Sequence, residues 1–315
     1  MRTVKRSQFV KKKGIRDYLR QIWRDKVLYL LFLPVALNFI IFHYYPMSGL
    51  QIAFKRYNIV LGLARSPWVG FQNFQKFFSS YYFVEVLTNT LSLSLLALCL
   101  FPLPVILALM LNEVRNSKFK KTIQTVTYLP YFISTVVVVG LMKILFASDG
   151  AGMQLVKLLT GSTPQLMAEA KYFRVMYLMQ EVWRCTGYES IIFIAAMSAI
   201  NPECYEAASV DGATRLQRIW HVTIPGIMGT IVILLIMRMG TLLNSGYHTI
   251  LLLQTELNES VSETIQTFVY KRGLQQSDFG YATAVGFFQS AVSFIMVMLS
   301  NFIANKASGG EHKMF

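Results

Sequence analysis

Six ionisable side chains stand inside stretches of the chain that are otherwise apolar: Lys143, Arg174, Glu181, Arg184, Glu189 and Arg238. A charge in hydrocarbon costs several kcal/mol, so such residues face a protein interior or a water-filled path and pair with one another. Glu181 and Arg184 are three residues apart, and Tyr188 and Glu189 come next on nearly the same helical face, giving one polar stripe. Carboxylate and guanidinium groups hydrogen-bond hydroxyls well, and aromatic faces pack on C–H surfaces, so the stripe suits a hydroxyl-rich solute. A second origin stays open: Glu181 and Arg184 could pair only with each other, or bridge helices. Further on, Arg238, Asn244 and Tyr247 give another apolar stretch a polar side. Arg238, Asn244 and His248 share a face only if Gly240 and Gly246 bend the helix, and both glycines could equally serve close helix packing. Lys143 and Arg174 stand near span ends, where long side chains reach back to the interface.

A different chemistry, mechanical rather than polar, is encoded between residues 201 and 226. Tyr205-Glu206-Ala207-Ala208-Ser209-Val210-Asp211-Gly212-Ala213 is a polar interruption between two long apolar runs and therefore lies outside a bilayer. Glu206, Ala207 and Ala208 are good helix formers, and Gly212 suits a turn with positive φ. Thr214 to Val222 reads as a second short helix with Leu216, Ile219 and Trp220 on one face, which Pro225 ends. The expectation is a helix–turn–helix lying on the membrane surface with one face presented outward; a plain connection is the other reading of such a loop.

Catalytic patterns do not accompany these features. The sequence holds no G-x-x-x-x-G-K-[ST] loop to cradle phosphates, no HExxH, no GxSxG and no paired carboxylates placed as in a glycosidase. Cys99, Cys185 and Cys204 are scattered without CxxC spacing, and His43, His221 and His248 are isolated, so no catalytic or metal-binding role is assigned.

The elements that hold these residues can be read from composition. The chain has 315 residues, 54% of them hydrophobic and only 15% charged. A mean hydropathy of +0.44 calls for about six apolar spans of roughly 20 residues rather than a soluble core. The net charge of +14 gathers at one end and beside the spans, as membrane topology requires, which argues against nucleic acid. Spans are expected at about 27–45, 86–111, 123–146, 172–200, 227–253 and 281–304, with Pro102 and Pro104 kinking the second. Residues 46–85 form an aromatic-rich external loop. Residues 1–26 are a basic segment in which Ile15, Leu19, Ile22 and Trp23 share a face, suggesting an interfacial helix. Residues 27–304 form the six-span domain with its loop at 201–226, and 305–315 a short tail. The Lys/Arg bias places both termini and the 201–226 loop in the cytoplasm, and the protein in the cell membrane as a multi-pass chain.

The stretch Glu206-Ala207-Ala208, Asp211-Gly212-Ala213 and Thr223-Ile224-Pro225 resembles the EAA loop of the membrane subunits of type I ABC importers. Asn89-Thr90-Leu91, the segment from Leu107 to Glu113, Tyr128-Leu129-Pro130, the segment from Val269 to Leu274 and the segment from Ala282 to Gly286 are similar to the permeases of oligosaccharides and polysaccharide fragments, the LplB-like group. The resemblance covers nearly the whole chain after the basic N-terminus. It implies an all-α integral membrane protein with six transmembrane helices in the MetI-like permease fold and a cytoplasmic coupling helix. On this resemblance Glu206, Ala207, Ala208, Asp211, Gly212 and Ala213 dock onto an ATPase subunit. It further implies a second homologous permease in a heterodimer, two cytosolic ATPase subunits that hold ATP and Mg, and an extracellular sugar-binding protein. This chain itself then binds no cofactor and is not an enzyme. Importers of amino acids, phosphate or metal ions share the loop but should lack the matches around Asn89 and Tyr270. A secondary transporter predicts inverted repeats, of which the sequence shows none.

Overall fold

The computed structural model describes residues 23–244 and 246–307. The residues expected to share an interfacial face before the first span (Ile15, Leu19 and Ile22) lie outside them, as do residues 308–315 of the tail. The chain divides into two compact units between Gln51 and Ile52. Among the described residues the secondary structure is helical, apart from one isolated antiparallel bridge between Lys55 and Trp68.

The first unit is built on α1 (Lys26–Phe39), an apolar helix that holds Pro34 about two turns in. It does not stop at 45. A π turn at Ile40–Tyr44 carries it on, and helical turns reach Phe54, past the unit boundary. The Tyr45 N–H reaches back five residues to Ile40, and the widened turn takes the ring of Pro46 without breaking the helix.

In the second unit, after one helical turn at Gly62–Arg65, α2 (Gln72–Phe78) lies inside what the sequence marks as a loop. Its Phe77 is buried among Phe268, Tyr281 and Val285. The next span comes in two pieces, α3 (Tyr82–Cys99) and α4 (Pro102–Glu113), broken where Pro102 removes an N–H and starts the new helix. The span expected at 123–146 is a correction. α5 (Ser117–Tyr128) is capped by Asn116, then a 3-10 turn at Leu129–Phe132 holds buried Pro130. Ser134 caps a separate helix, α6 (Thr135–Leu145), at 101° to the first. At ~16 Å, α6 alone is too short to cross a bilayer. α7 (Ala151–Thr160) lies in the connection, stopped by Gly161.

Then comes α8 (Ala170–Ser198), 29 residues long and so about 43 Å. It is the expected fourth span, but Lys171, Arg174, Glu181, Arg184 and Glu189 keep it well short of the apolarity of its neighbours. α9 (Pro202–Val210) and α10 (Arg215–Arg218) form the loop. Contrary to expectation, Pro225 does not end the second loop helix. A π turn at Ile219–Thr223 lets α10 run into α11 (Ile224–Thr241), with the Ile224 N–H bonded to Ile219 as in the first unit. The fifth span does bend: a 3-10 turn at Leu242–Asn244 and Gly246, with φ of +74°, separate α11 from α12 (Tyr247–Leu253). α13 (Glu259–Ser262), α14 (Ile265–Tyr270) and α15 (Phe279–Ala307) complete the chain.

By length and apolarity four helical stretches can cross a membrane: Lys26–Phe54, Tyr82–Glu113, Arg215–Leu253 and Phe279–Lys306. The bent pair α5–α6 makes a fifth. α8 runs through the core of the second unit. One end packs Phe173 and Tyr177 against Leu93 and Ile250, the other packs Phe193 and Met197 against Ala108 and Ile227. Where α8 crosses α5, Gly187 lies so near Thr127 that an added Cβ would run into its carbonyl. Small residues permit such close crossings in membranes, where packing and hydrogen bonds replace the hydrophobic drive.

Candidate functional site: a capped surface loop and a charged cavity

The loop is a rigid object. Asn201 accepts from the Glu203 N–H at 3.1 Å and caps α9, and Pro202 fills the first helical position. At the other end Gly212 takes φ of +76°, its N–H donating to the Ser209 carbonyl while the Ala213 N–H reaches back to Ala208 at 2.9 Å. This is a Schellman motif, which satisfies carbonyls that would otherwise be left over. Thr214 then caps α10 through a reciprocal box with Gln217: Thr214 N–H donates to Gln217 Oε1 at 2.8 Å and Gln217 N–H to Thr214 Oγ1 at 3.4 Å. Two further contacts fix α9 on α10 and the π turn after it: Arg218 to Ser209 at 3.3 Å and Tyr205 to Thr223 at 3.0 Å. Outward, Glu206, Ala207, Asp211 and Gly212 are exposed, Ala208 and Ala213 half-buried, and Val210 is 87% exposed. With Leu216 and Trp220, Val210 leaves apolar side chains uncovered beside polar ones.

The polar stripe of α8 divides. Glu181 and Glu189 turn to α11, where Arg238 meets Glu189 at 2.9 Å and Glu181 at 3.9 Å, and also donates to the Ala97 carbonyl at 3.4 Å. All three charged side chains line a cavity of about 370 Å³, together with Phe101, Phe193 and Thr241. The local Glu181–Arg184 pair is therefore replaced by an interhelical one. Arg184 and Tyr188 turn to the 3-10 turn before α6. Tyr188 stacks on Tyr131 at 3.8 Å between ring centroids, and the Arg184 guanidinium lies 5.7 Å from the Tyr131 centroid.

Asn244 and Tyr247 do not line this cavity. Asn244 Oδ1 accepts from Gln266 and Gln289, each at 2.6 Å, and so ties the helix break to α14 and α15. Tyr247 sits beside His248 and Tyr270. Gly246 borders the cavity instead, with the Tyr177 hydroxyl so close that any Cβ would collide with it. Sequence reasoning missed Tyr131, Gln266 and Gln289, whose roles depend on contacts between distant segments. It also missed Lys271, which bridges Glu259 at 2.5 Å and Glu263 at 2.7 Å between α13 and the turn after α14. The four-residue spacing of the two glutamates was the available signal.

Comparison with known proteins brings these features together. Residues 101–308 match the family described as binding-protein-dependent transport system inner membrane component. Protein LplB of Bacillus subtilis (strain 168) is 45% identical over 296 residues, covering 93% of each chain. The polygalacturonan/rhamnogalacturonan transport system permease protein YteP of the same organism is 42% identical over 298 residues, 94% of this chain and 93% of its own. A crystal structure of a bacterial alginate ABC transporter, in complex with an alginate pentasaccharide-bound periplasmic protein, contains a chain with a TM-score of 0.86. That chain is 36% identical, and the match covers 94% of this one and 99% of it.

Proposed function

The chain belongs to the family of binding-protein-dependent transport system inner membrane components, and from that premise we propose that it is the transmembrane permease of an ATP-driven importer of oligosaccharides or polysaccharide fragments. The observation that carries the coupling role is the α9–α10 loop: capped at both ends, braced on the helix after it, and exposed on the face that bears Glu206, Val210 and Gly212. A rod so fixed transmits displacement into the Arg215–Leu253 helix, because α10 is its first turn.

In this reading two cytosolic ATPase subunits hold ATP and Mg, since this chain carries no phosphate-cradling loop and no ATPase site of its own. A second, homologous permease completes a heterodimer, and an external sugar-binding protein delivers ligand. Both termini and the loop face the cytoplasm. ATP binding closes the ATPases on the loop, and the helices around the path alternate between outward and inward openings. Along that path Glu181, Glu189 and Arg238 offer hydrogen bonds to sugar hydroxyls, and Arg184 and Tyr188 offer a stacked aromatic and cationic surface. One relative is named for polygalacturonan and rhamnogalacturonan transport and the structural neighbour for alginate, which favours this solute class over amino acids or phosphate.

The test is reconstitution of the co-purified complex in vesicles with ATP supplied on the loop-bearing side. Glu206→Lys or Gly212→Val, the latter forcing a branched side chain into positive φ, is expected to abolish ATP-driven uptake. Ligand capture by the external protein should stay intact. Undiminished uptake by both variants would remove the coupling role.

A further inference from the structure

Two cations on α8 have no counter-ion. Glu181 and Glu189 are both taken up by Arg238, whereas Arg174 and Arg184 form no ion pair among the described residues. In each of the two the guanidinium Nε is buried without a hydrogen-bond partner. A half-buried cation in the core of a membrane chain is costly unless something neutralises it. Three guanidiniums thus stand against two carboxylates, and the positive surplus lies on Arg174 and Arg184.

These charges are not scattered round the helix. At about 100° per residue, Arg184, Tyr188, Glu181, Arg174, Cys185 and Glu189 follow in that angular order within an arc of about 140°. The charged cavity against α11 takes one edge of the arc, through Glu189 and Arg238. Arg184 marks the other edge, where α8 meets the turn at Leu129–Phe132. Cys185, between the edges, lies within electrostatic reach of Glu181, Glu189, Arg184 and Arg238 alike. The unpaired guanidinium therefore shares one polar surface with the cavity.

What Arg184 does touch is aromatic. Tyr131 and Tyr188 stack with their planes 4° apart, Phe132 stands edge-on to Tyr188 at 5.8 Å, and the guanidinium lies over Tyr131. Tyr131, Arg184 and Tyr188 are all half-buried, so the cluster keeps an open side. A guanidinium held this way retains a planar N–H fork, which matches a carboxylate bidentately. The rings beside it offer a face for C–H groups. Inorganic anions have no apolar face to lay on the stack, and a neutral sugar leaves the guanidinium charge uncompensated. A sugar ring that bears a carboxylate supplies both. Arg174, ten residues earlier and so about 15 Å along the axis away from the loop, repeats the cation. Two such positions suit a chain that repeats its charge.

We propose that Arg184, seated on the Tyr131–Tyr188 stack, is the position that reads a carboxylate of the sugar, so that this chain itself prefers acidic, uronate-bearing oligosaccharides. The proposal deepens the transport reading above and rests on it, but binding at Arg184 can be measured without transport.

The experiment measures equilibrium binding to the purified whole membrane complex, with the external binding protein left out. Two fluorescently end-labelled probes of one length are compared: a galacturonate pentamer, and the same pentamer with its carboxylates methyl-esterified. The acidic pentamer is expected to bind the unaltered complex more tightly. Arg184→Gln is expected to weaken the acidic pentamer by about 10- to 150-fold, the loss of a charge-assisted hydrogen-bonded contact, and to leave the esterified one unchanged. Arg184→Lys, which keeps the charge without the fork, should fall between. Tyr188→Leu should weaken both probes. No binding to the unaltered complex, equal binding of the two probes, or an equal loss of both with Arg184→Gln would overturn the assignment. In parallel, ATP-driven uptake of both pentamers is measured on the unaltered complex with its binding protein in vesicles. Uptake of neither, alongside binding that depends on Arg184, would sink the import reading and leave the site standing.

Discussion

Arg238 answers to two carboxylates, so removing the guanidinium leaves Glu181 and Glu189, the first largely buried, without their shared ion-pair partner. Breaking a buried pair from one side costs up to ~3–5 kcal/mol because the surviving charge is uncompensated. Arg238→Met is therefore expected to lower the melting temperature of the purified complex more than any single change at the carboxylates. Glu189→Gln should cost less, about 1 kcal/mol, since that side chain is 35% exposed and water screens it. Equal losses would mean that the cluster is hydrated throughout. The charged positions themselves are readable in the sequence, because a charge within an apolar run is conspicuous. Their pairing is not: Arg238 lies 49 residues from Glu189, and contacts between helices leave no trace in local spacing.

Short elements outside the spans carry their own pH response. Just after α13, the Glu263 carboxyl is pushed up to about 7, first by burial and then by its hydrogen bond with Glu259, against the pull of Lys271. Its folded value lies above the ordinary 4.5, so the stability it lends is complete below 4.5 and is lost as pH rises through about 7. Amide exchange in residues 259–271, corrected for intrinsic rates, should accordingly be slower at mildly acidic pH than at mildly basic pH, by about tenfold. Glu263→Gln should flatten the difference; an unchanged pH dependence in that variant would exclude the carboxyl as its source. Among the elements, legibility was uneven. The turn at Gly212 and the helix start at Thr214 were legible, whereas the caps by Asn201 and by Thr214 with Gln217 came only with the structure. The π turns before Pro46 and Pro225 were not foreseen, since a proline alone does not say whether the helix stops or widens around it. The break at Leu129–Ser134 was likewise hidden within an apolar run that reads as continuous.

For the molecule as a whole, the apolar pattern and the loop between 201 and 226 were enough to indicate a helical membrane chain. They could not indicate that α8, whose charges the sequence already marks, would also lie at the core of the second unit. That feature bears on how the chain enters a bilayer during synthesis. Each charged residue near the middle of an inserting helix costs ~2.5–3.5 kcal/mol against a few tenths gained per leucine, so a segment bearing Glu181, Arg184 and Glu189 is a poor passenger alone. The compensating cation, Arg238, is made only later, on α11. In a glycosylation-mapping assay, residues 170–200 placed in a carrier protein should insert inefficiently, and extending the fragment through residue 253 should rescue them. Rescue that persists with Arg238→Leu would show that the pair is not what retains α8. The nascent chain would then leave the ribosome with one helix waiting at the lateral gate for the next, and the ion pair at Arg238 would be the latch that completes biogenesis.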